Sequence, residues 1–460
     1  MPAQVLPSES YAKNGVVKLT NCRVVRSDRL VEEDIWMSSQ TGKILNGQRE
    51  FFDSRTEPDE TVDLGGRIVC PGFIETQLNG AFGFDFSVVP ENLSDYSKGL
   101  AHVNNLLAKT GVTSYLPTVT SQPARVYQTV LPFLGPSGAL RSPSIGAESL
   151  GAHCEGPFIS PKRNGIHFLS NILDPASGIS SLESCYGTDN LQASTTPIKV
   201  ITLAPELPNA VPVIEELSAR GIIPSIGHTD ATYEEALAGI NAGAKTVTHL
   251  FNAMRPLHHR NPGVFGLLGT APSALAHSID LGSDTPSAHH DPPAHETYTK
   301  PYFGIITDGI HVHPSVATLA YSFHPDGMII VTDAMPFQTY PDGLYPAPYG
   351  SHIRKSGNVL TLEESSRPAG RLAGSSSSLI ECVENFWNWV GPEVSLARVL
   401  ATVTSTPAKM LGCYGAKGCL EPGADADVVV LKGGLERSGR KTLRVAEVWK
   451  FGARVHKGDV

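Results

Sequence analysis

Between residues 113 and 331 short apolar runs alternate with amphipathic helical stretches, and that alternation admits few folds. The runs cover 113–117, 199–203, 222–226, 246–249, 303–306 and 328–331, with helical patterns at 211–220, 233–242 and 316–323 between them. Strand, helix, strand at this spacing is the βαβ unit, and the number of units suits a (β/α)8 TIM-like barrel better than a doubly wound sheet. No GxGxxG follows a strand, which weakens a dinucleotide-binding alternative.

Both ends of the chain read differently. Residues 16–19, 22–25, 34–37 and 41–44 are short β patterns, as are 427–431, 445–449 and 453–455. A 460-residue chain exceeds one ordinary core, whereas barrels of about 250 residues or more are common. The expected division is therefore 1–70 and 409–460 as two parts of a small β-sandwich domain, with the barrel over 71–408. Residues 270–301 are polar, proline-rich and aperiodic, and read as an inserted surface loop. Its His289, His290 and His295 lack an orienting strand, so they read as solvated surface and not as metal ligands.

Composition removes several classes of function. A formal charge of −9, from 36 basic and 45 acidic residues, offers no basic footprint for nucleic acid. The longest apolar stretches, such as 328–331 and 428–431, are far too short to cross a bilayer. The opening MPAQVLPSES has neither a basic nor an apolar signal region, so a cytoplasmic location is expected. Seven cysteines without a CxxC pair argue against a disulfide framework.

In a barrel the residues just beyond a strand reach the C-terminal mouth, where active sites sit. Four such positions carry polar groups that a core rejects. Glu155 follows a strand expected near 145–152, His228 follows 222–226, His249 follows 246–248, and Asp333 follows 328–331. A fifth segment, Asp308 to His311, follows 303–306. Singly, each has a bland reading: a structural histidine, a carboxylate paired with arginine, a helix cap. Together they do not, because packing requires no such set. Two imidazoles and a carboxylate suit a divalent ion such as Zn²⁺ with one position open. Asp333 is then placed to take a proton from the water that the ion activates.

The motifs around these positions give the chain a resemblance to the amidohydrolase superfamily and, within it, to the N-acetylglucosamine-6-phosphate deacetylase family. It rests on PGFIETQLNGAFGFDF (71–86), HCEGPFISPKRNGIH (153–167), LAPE (203–206), GHTDAT (227–232), THLFNAM (248–254), RNPG (260–263), DGIHVHP (308–314), VTDAM (331–335) and LAGS (372–375). The resemblance implies Glu155, His228 and His249 as metal ligands and Asp333 as the general base that later protonates the amine. It implies that His311 helps to hold the substrate and polarise the reacting carbonyl or a nearby phosphate. His167 would contact the sugar, and Arg260 with the backbone N–H groups of Asn252 and Ala253 would hold the 6-phosphate. Guanidinium and backbone amides are the usual phosphate donors.

Where most of the superfamily carries His-x-His after the first strand, this chain has Gln77-Leu78-Asn79. Neutral amides are poor ligands, so Gln77 and Asn79 mark a vestigial second-metal position and one divalent ion per chain is expected. Zn²⁺ leads, with Fe²⁺, Co²⁺ and Mn²⁺ open. The resemblance implies a phosphorylated amino sugar as substrate and a homodimer as assembly. Two rival readings stand beside it: an amidohydrolase acting on another N-acyl or cyclic amide, and a catalytically inactive scaffold barrel.

Overall fold

The computed structural model describes residues 14–192, 196–269, 299–347, 351–363 and 371–458. Most of the 270–301 segment, with His289, His290 and His295, lies outside them. Eight parallel strands form the barrel: Phe73–Leu78, Val112–Val119, Ala152–Glu155, Ile198–Leu203, Ile223–Ile226, Thr246–Val247, Tyr302–Ile306 and Met328–Val331, called here the first to eighth barrel strands. Adjacent strands pair in parallel from first to eighth. The ring closes where Asp333 N–H donates to Gln77 O at 3.0 Å and Asn79 N–H to Ala334 O at 3.0 Å.

Helices such as Ala210–Ala219, Tyr233–Asn241 and Pro314–Phe323 return the chain between strands. Each buries one stripe, for example Val213, Ile214 and Leu217, as a period of 3.6 residues demands. Thr232 and Glu235 form a reciprocal capping box that starts the helix after His228, satisfying donors that an uncapped helix leaves bare.

The third barrel strand departs from the sequence reading. Residues Pro143–Ile145 are a 3-10 turn, Glu148–Ser149 pairs briefly with the second strand, and Ala152–Glu155 resumes the barrel. Glu155 thus ends the strand itself. Gly151, at φ 114°, makes the interruption, a conformation that residues with a Cβ avoid.

The two ends of the chain hydrogen-bond into one eight-stranded sheet. Strand Glu60–Pro71 pairs in parallel with Val16–Arg26 on one side and antiparallel with Val428–Leu435 on the other. Side chains alternate across a strand, and here each face has a use. Val428 and Val430 join Leu19, Val24, Met37 and Trp449 in the sheet's own core. Val429 and Leu431 turn the other way, into the barrel core with Leu443 and Val448. Gly72 marks the passage from sheet to barrel, where a Cβ would lie 2.0 Å from Thr113 Oγ1.

Charged groups fill one part of this seam. Glu148, Asp425 and Asp427 are buried there with two lysine ammoniums among them. Lys450 Nζ lies 2.6 Å from Glu148 and 2.8 Å from Asp427, and Lys417 Nζ lies 2.7 Å from Asp427, 2.8 Å from Asp425 and against Glu148. Lys43 and Arg141 each reach Asp425 at 2.7 Å.

Between the eighth strand and helix Leu379–Trp389 an antiparallel sheet of four strands intervenes: Gly343–Pro346, His352–Ser356, Val359–Glu363 and Arg371–Ser375. It buries its own cluster of Phe337, Ile353, Leu360, Leu362 and Ala373, and Ser375 bridges to Ala334 beside Asp333. All seven cysteines are free. Among the described residues no helix is long and apolar enough to cross a membrane.

Candidate metal centre

Four strand ends bring the centre together. Glu155 is the last residue of the third strand, Gly227 carries the fifth to His228, Thr248 the sixth to His249, and Thr332 the eighth to Asp333. His228, His249 and Asp333 all have positive φ, at 47°, 29° and 48°. Residues with a Cβ adopt that region at a cost of roughly 1–3 kcal/mol each, and such outliers collect at functional sites.

The donor atoms form a tight triangle. His249 Nε2 is 2.9 Å and His228 Nε2 3.3 Å from Glu155 Oε1, and the two Nε2 atoms are 3.1 Å apart. All three side chains are buried. Ligands about 2.0–2.1 Å from a tetrahedral ion stand roughly 3.3 Å from one another, so the triangle fits a divalent ion. His228 Nδ1 donates to Arg163 O at 2.9 Å. A carbonyl only accepts, so the hydrogen sits on Nδ1 and the Nε2 lone pair is left for a metal. His249 Nδ1 is buried without a protein partner. Burial alone would raise Glu155, yet His228 and His249 hold its carboxyl well below the ordinary range. Burial lowers His249, but Glu155 and Asp333 outweigh that and bring it to about 8. In the metal-free chain Glu155 thus favours the protonated form of His249.

Asp333 stands beside this triangle. Gln77 Nε2 donates to Glu155 Oε1 at 2.8 Å and to Asp333 Oδ1 at 3.2 Å, so one amide bridges the two carboxylates. Asn79 Nδ2 donates to the same Asp333 oxygen at 2.8 Å. Burial, then the charge of Glu155, raises Asp333 to about 7. His311 Nδ1 donates to Asp308 Oδ2 at 2.7 Å, which fixes the ring and leaves its Nε2 for other work. Burial would raise Asp308, but the His311 ring and the backbone N–H groups of His311 and Ile310 keep it low.

The remaining sequence candidates are placed unevenly. His167 is buried, with Nδ1 2.7 Å from Ser121 Oγ and its ring 4.5 Å from that of His228. Burial and the neighbouring His228 lower it to about 3, so its ring is neutral. Ala253 lies at the same edge, since a Cβ on Gly165 would meet both His228 and Ala253. The backbone N–H of Asn252 is engaged with His249 O at 2.9 Å. That corrects the expectation that it is free for a phosphate; the side-chain Nδ2 is the buried donor without a partner. Arg260 is exposed, and its guanidinium makes no hydrogen bond or ion pair among the described residues.

Two buried groups escaped the sequence reading. Glu75, in the first strand, accepts from Gln77 N–H at 3.0 Å and Thr332 N–H at 3.1 Å, tying the seam on either side of Asp333. Burial raises it to about 8. His153 shares a strand face with Glu155, and burial lowers it to about 4. A single carboxylate in the otherwise uncharged stretch FIETQL, and a histidine two residues before Glu155, were the available signals.

Comparison with known proteins identifies the family. The model of the Amidohydrolase family matches residues 68–456. The chain is 36% identical over 441 residues to N-acetylglucosamine-6-phosphate deacetylase of Danio rerio, covering 93% of this chain and 95% of that one. It is 37% identical over 424 residues to the protein of the same name in Mus musculus, covering 90% and 91%. The crystal structure of N-acetylglucosamine-6-phosphate deacetylase from Pasteurella multocida aligns over 96% of this chain and 100% of that one, at 25% identity and a TM-score of 0.70. This chain belongs to the amidohydrolase family, in the branch of the N-acetylglucosamine-6-phosphate deacetylases.

Proposed function

We propose that the chain hydrolyses the acetamide of N-acetyl-D-glucosamine 6-phosphate to D-glucosamine 6-phosphate and acetate, a step of amino-sugar breakdown. The observation that carries this reading is the buried Glu155–His228–His249 triangle with Asp333 held against it by Gln77 and Asn79. Glu155, His228 and His249 hold one divalent ion, with Zn²⁺ the leading choice and Fe²⁺, Co²⁺ and Mn²⁺ its competitors. When bound, such an ion polarises the carbonyl and makes water nucleophilic near neutral pH.

The protein's own residues do the rest. Asp333 removes the proton from the attacking water and delivers it to the departing amine. Asn79 and Gln77 keep that carboxylate aimed, and their amide hydrogens occupy the side of Asp333 and Glu155 that faces the first strand. His311, its ring fixed through Nδ1 by Asp308, helps to hold the substrate beside the reacting carbonyl. His167 contacts the sugar, and the side-chain amide of Asn252, the backbone N–H of Ala253 and Arg260 hold the 6-phosphate. The same reading divides the chain at 1–70, 71–408 and 409–460, and includes a homodimer in the cytoplasm.

Acetate release tests the proposal, with N-acetylglucosamine 6-phosphate, unphosphorylated N-acetylglucosamine and N-acetylgalactosamine 6-phosphate compared. The first should be turned over fastest, chelation should stop turnover, and about one equivalent of Zn²⁺ per chain should restore it. Undiminished release after chelation, or a preference for the unphosphorylated sugar, overturns the reading.

A further inference from the structure

One step below the metal-binding triangle the barrel interior is polar. His153 Nδ1 lies 3.1 Å from Thr76 O, and its Nε2 lies 2.7 Å from Thr202 Oγ1. Thr202 Oγ1 is 2.6 Å from Thr248 Oγ1, which is 2.5 Å from Ser225 Oγ. The side chains of His153, Thr202, Thr248 and Ser225 are all buried. Barrel interiors are ordinarily filled by Val, Ile and Leu, and buried hydroxyls are costly unless every one is bonded. Four polar residues crossing four strands at this depth therefore call for a reason.

The chain of bonds has one direction. Thr76 O only accepts, so His153 Nδ1 carries a hydrogen and Nε2 of the neutral ring accepts. Thr202 must then donate its single hydrogen to His153. Thr248 must donate to Thr202, and Ser225 to Thr248. Each link is also attached to a ligand of the centre. His153 stands two residues before Glu155 on the same strand face, and Thr248 immediately precedes His249. The turn that bears His228 lies on the two threonines at Gly227, where a Cβ would come within 2.7 Å of Thr248 Cβ and 2.8 Å of Thr202 Cγ2.

We propose that Thr202 and Thr248, oriented by His153, are positioning residues that hold Glu155, His228 and His249 in their triangle before an ion arrives. This rests on the metal-centre reading above. Both histidines sit on turns at unfavourable φ with their Nε2 atoms and Glu155 Oε1 within 3.3 Å of one another, an arrangement that the packing beneath must hold. A one-way chain, in which each bond polarises the next, supplies that support from beneath.

The test compares the wild type with Thr248→Val, Thr202→Val and Thr248→Ser. Zn²⁺ affinity is read by chelator competition, ligand geometry by the visible absorption of the Co²⁺-substituted protein, and folding by thermal melting. Each valine variant should bind Zn²⁺ about 10- to 100-fold more weakly, with an altered Co²⁺ spectrum, and Thr248→Ser should recover most of the loss. A folded Thr248→Val protein with wild-type affinity and an unchanged spectrum overturns the proposal. If the valine variants do not fold, ¹⁵N-histidine NMR of the metal-free wild type decides. His153 should show a hydrogen on Nδ1 and none on Nε2, and the opposite tautomer sinks the one-way chain. A wild type that takes up no ion at all would defeat the metal-centre reading instead, and leave the NMR result to judge the chain.

Discussion

The barrel mouth and the seam under the terminal sheet each gather three buried side chains able to bind a metal, yet only the seam is filled with the permanent positive charge of lysine. At the mouth, Glu155 faces two imidazoles. At the seam, Glu148, Asp425 and Asp427 are met by Lys417 and Lys450, with Lys43 and Arg141 on the outer edge. Ligand spacing alone would rank the two together. Charge balance separates them: the seam's carboxylates are met by permanent ammonium groups, whereas Glu155 at the mouth is met by imidazoles, which carry charge only when protonated and can give that place to an ion.

Breaking each region in turn should expose this difference. Asp333→Asn should keep one metal ion per chain while kcat falls about 10²- to 10⁴-fold; metal analysis beside acetate release checks both halves. Lys450→Met should cost about 3–5 kcal/mol of stability, because Glu148 and Asp427 lose a fully buried partner; urea unfolding measures it, and chelator should not change the size of that loss. The acid limb gives a smaller effect. Burial pushes Asp427 up, but Lys450 and Lys417 outweigh it and hold the carboxyl at about 2, below its ordinary 3.8. A depressed folded value gives stability, on the order of 2 kcal/mol, that is present above about pH 4 and lost as pH falls toward about 2. Melting temperatures between pH 5 and pH 2 should show that slope, and Lys450→Met should flatten it. The smallest change should come from Glu155→Gln. The amide keeps the shape of the carboxyl and can still accept from Gln77, so metal-free stability should change far less than with Lys450→Met while Zn²⁺ uptake disappears. A large loss of metal-free stability would mean that the mouth, too, is a structural ion pair.

The same contrast explains what the sequence could disclose. Strands Tyr302–Ile306 and Met328–Val331 are apolar runs, and Asp308 and Asp333 stand out because they follow such runs at once. The four main candidates were legible for that reason. The seam was not: Glu148 meets Lys417 across 269 residues and Lys450 across 302, and nothing local marks any of them as buried. The antiparallel insert was hidden differently. In His352–Ser356 the inward positions are Ile353 and Lys355, and the lysine breaks the apolar alternation that betrays a strand. Its Nζ is satisfied by Gly357 O and by Asp342, partners that only the folded hairpin supplies. Glu75 was concealed by the opposite effect, since five of the six residues of its strand read as unremarkable core or mouth.

The left-handed backbone at His228, His249 and Asp333 has a consequence for anyone selecting variants of this chain. Glycine adopts that region freely, so replacing any of the three relieves local strain as it deletes the function. A screen that rewards yield or heat tolerance alone would be drawn to those codons, and its winners would be well-behaved, soluble and inert. Selection by turnover has to accompany selection by robustness, because at these positions the two pull in opposite directions.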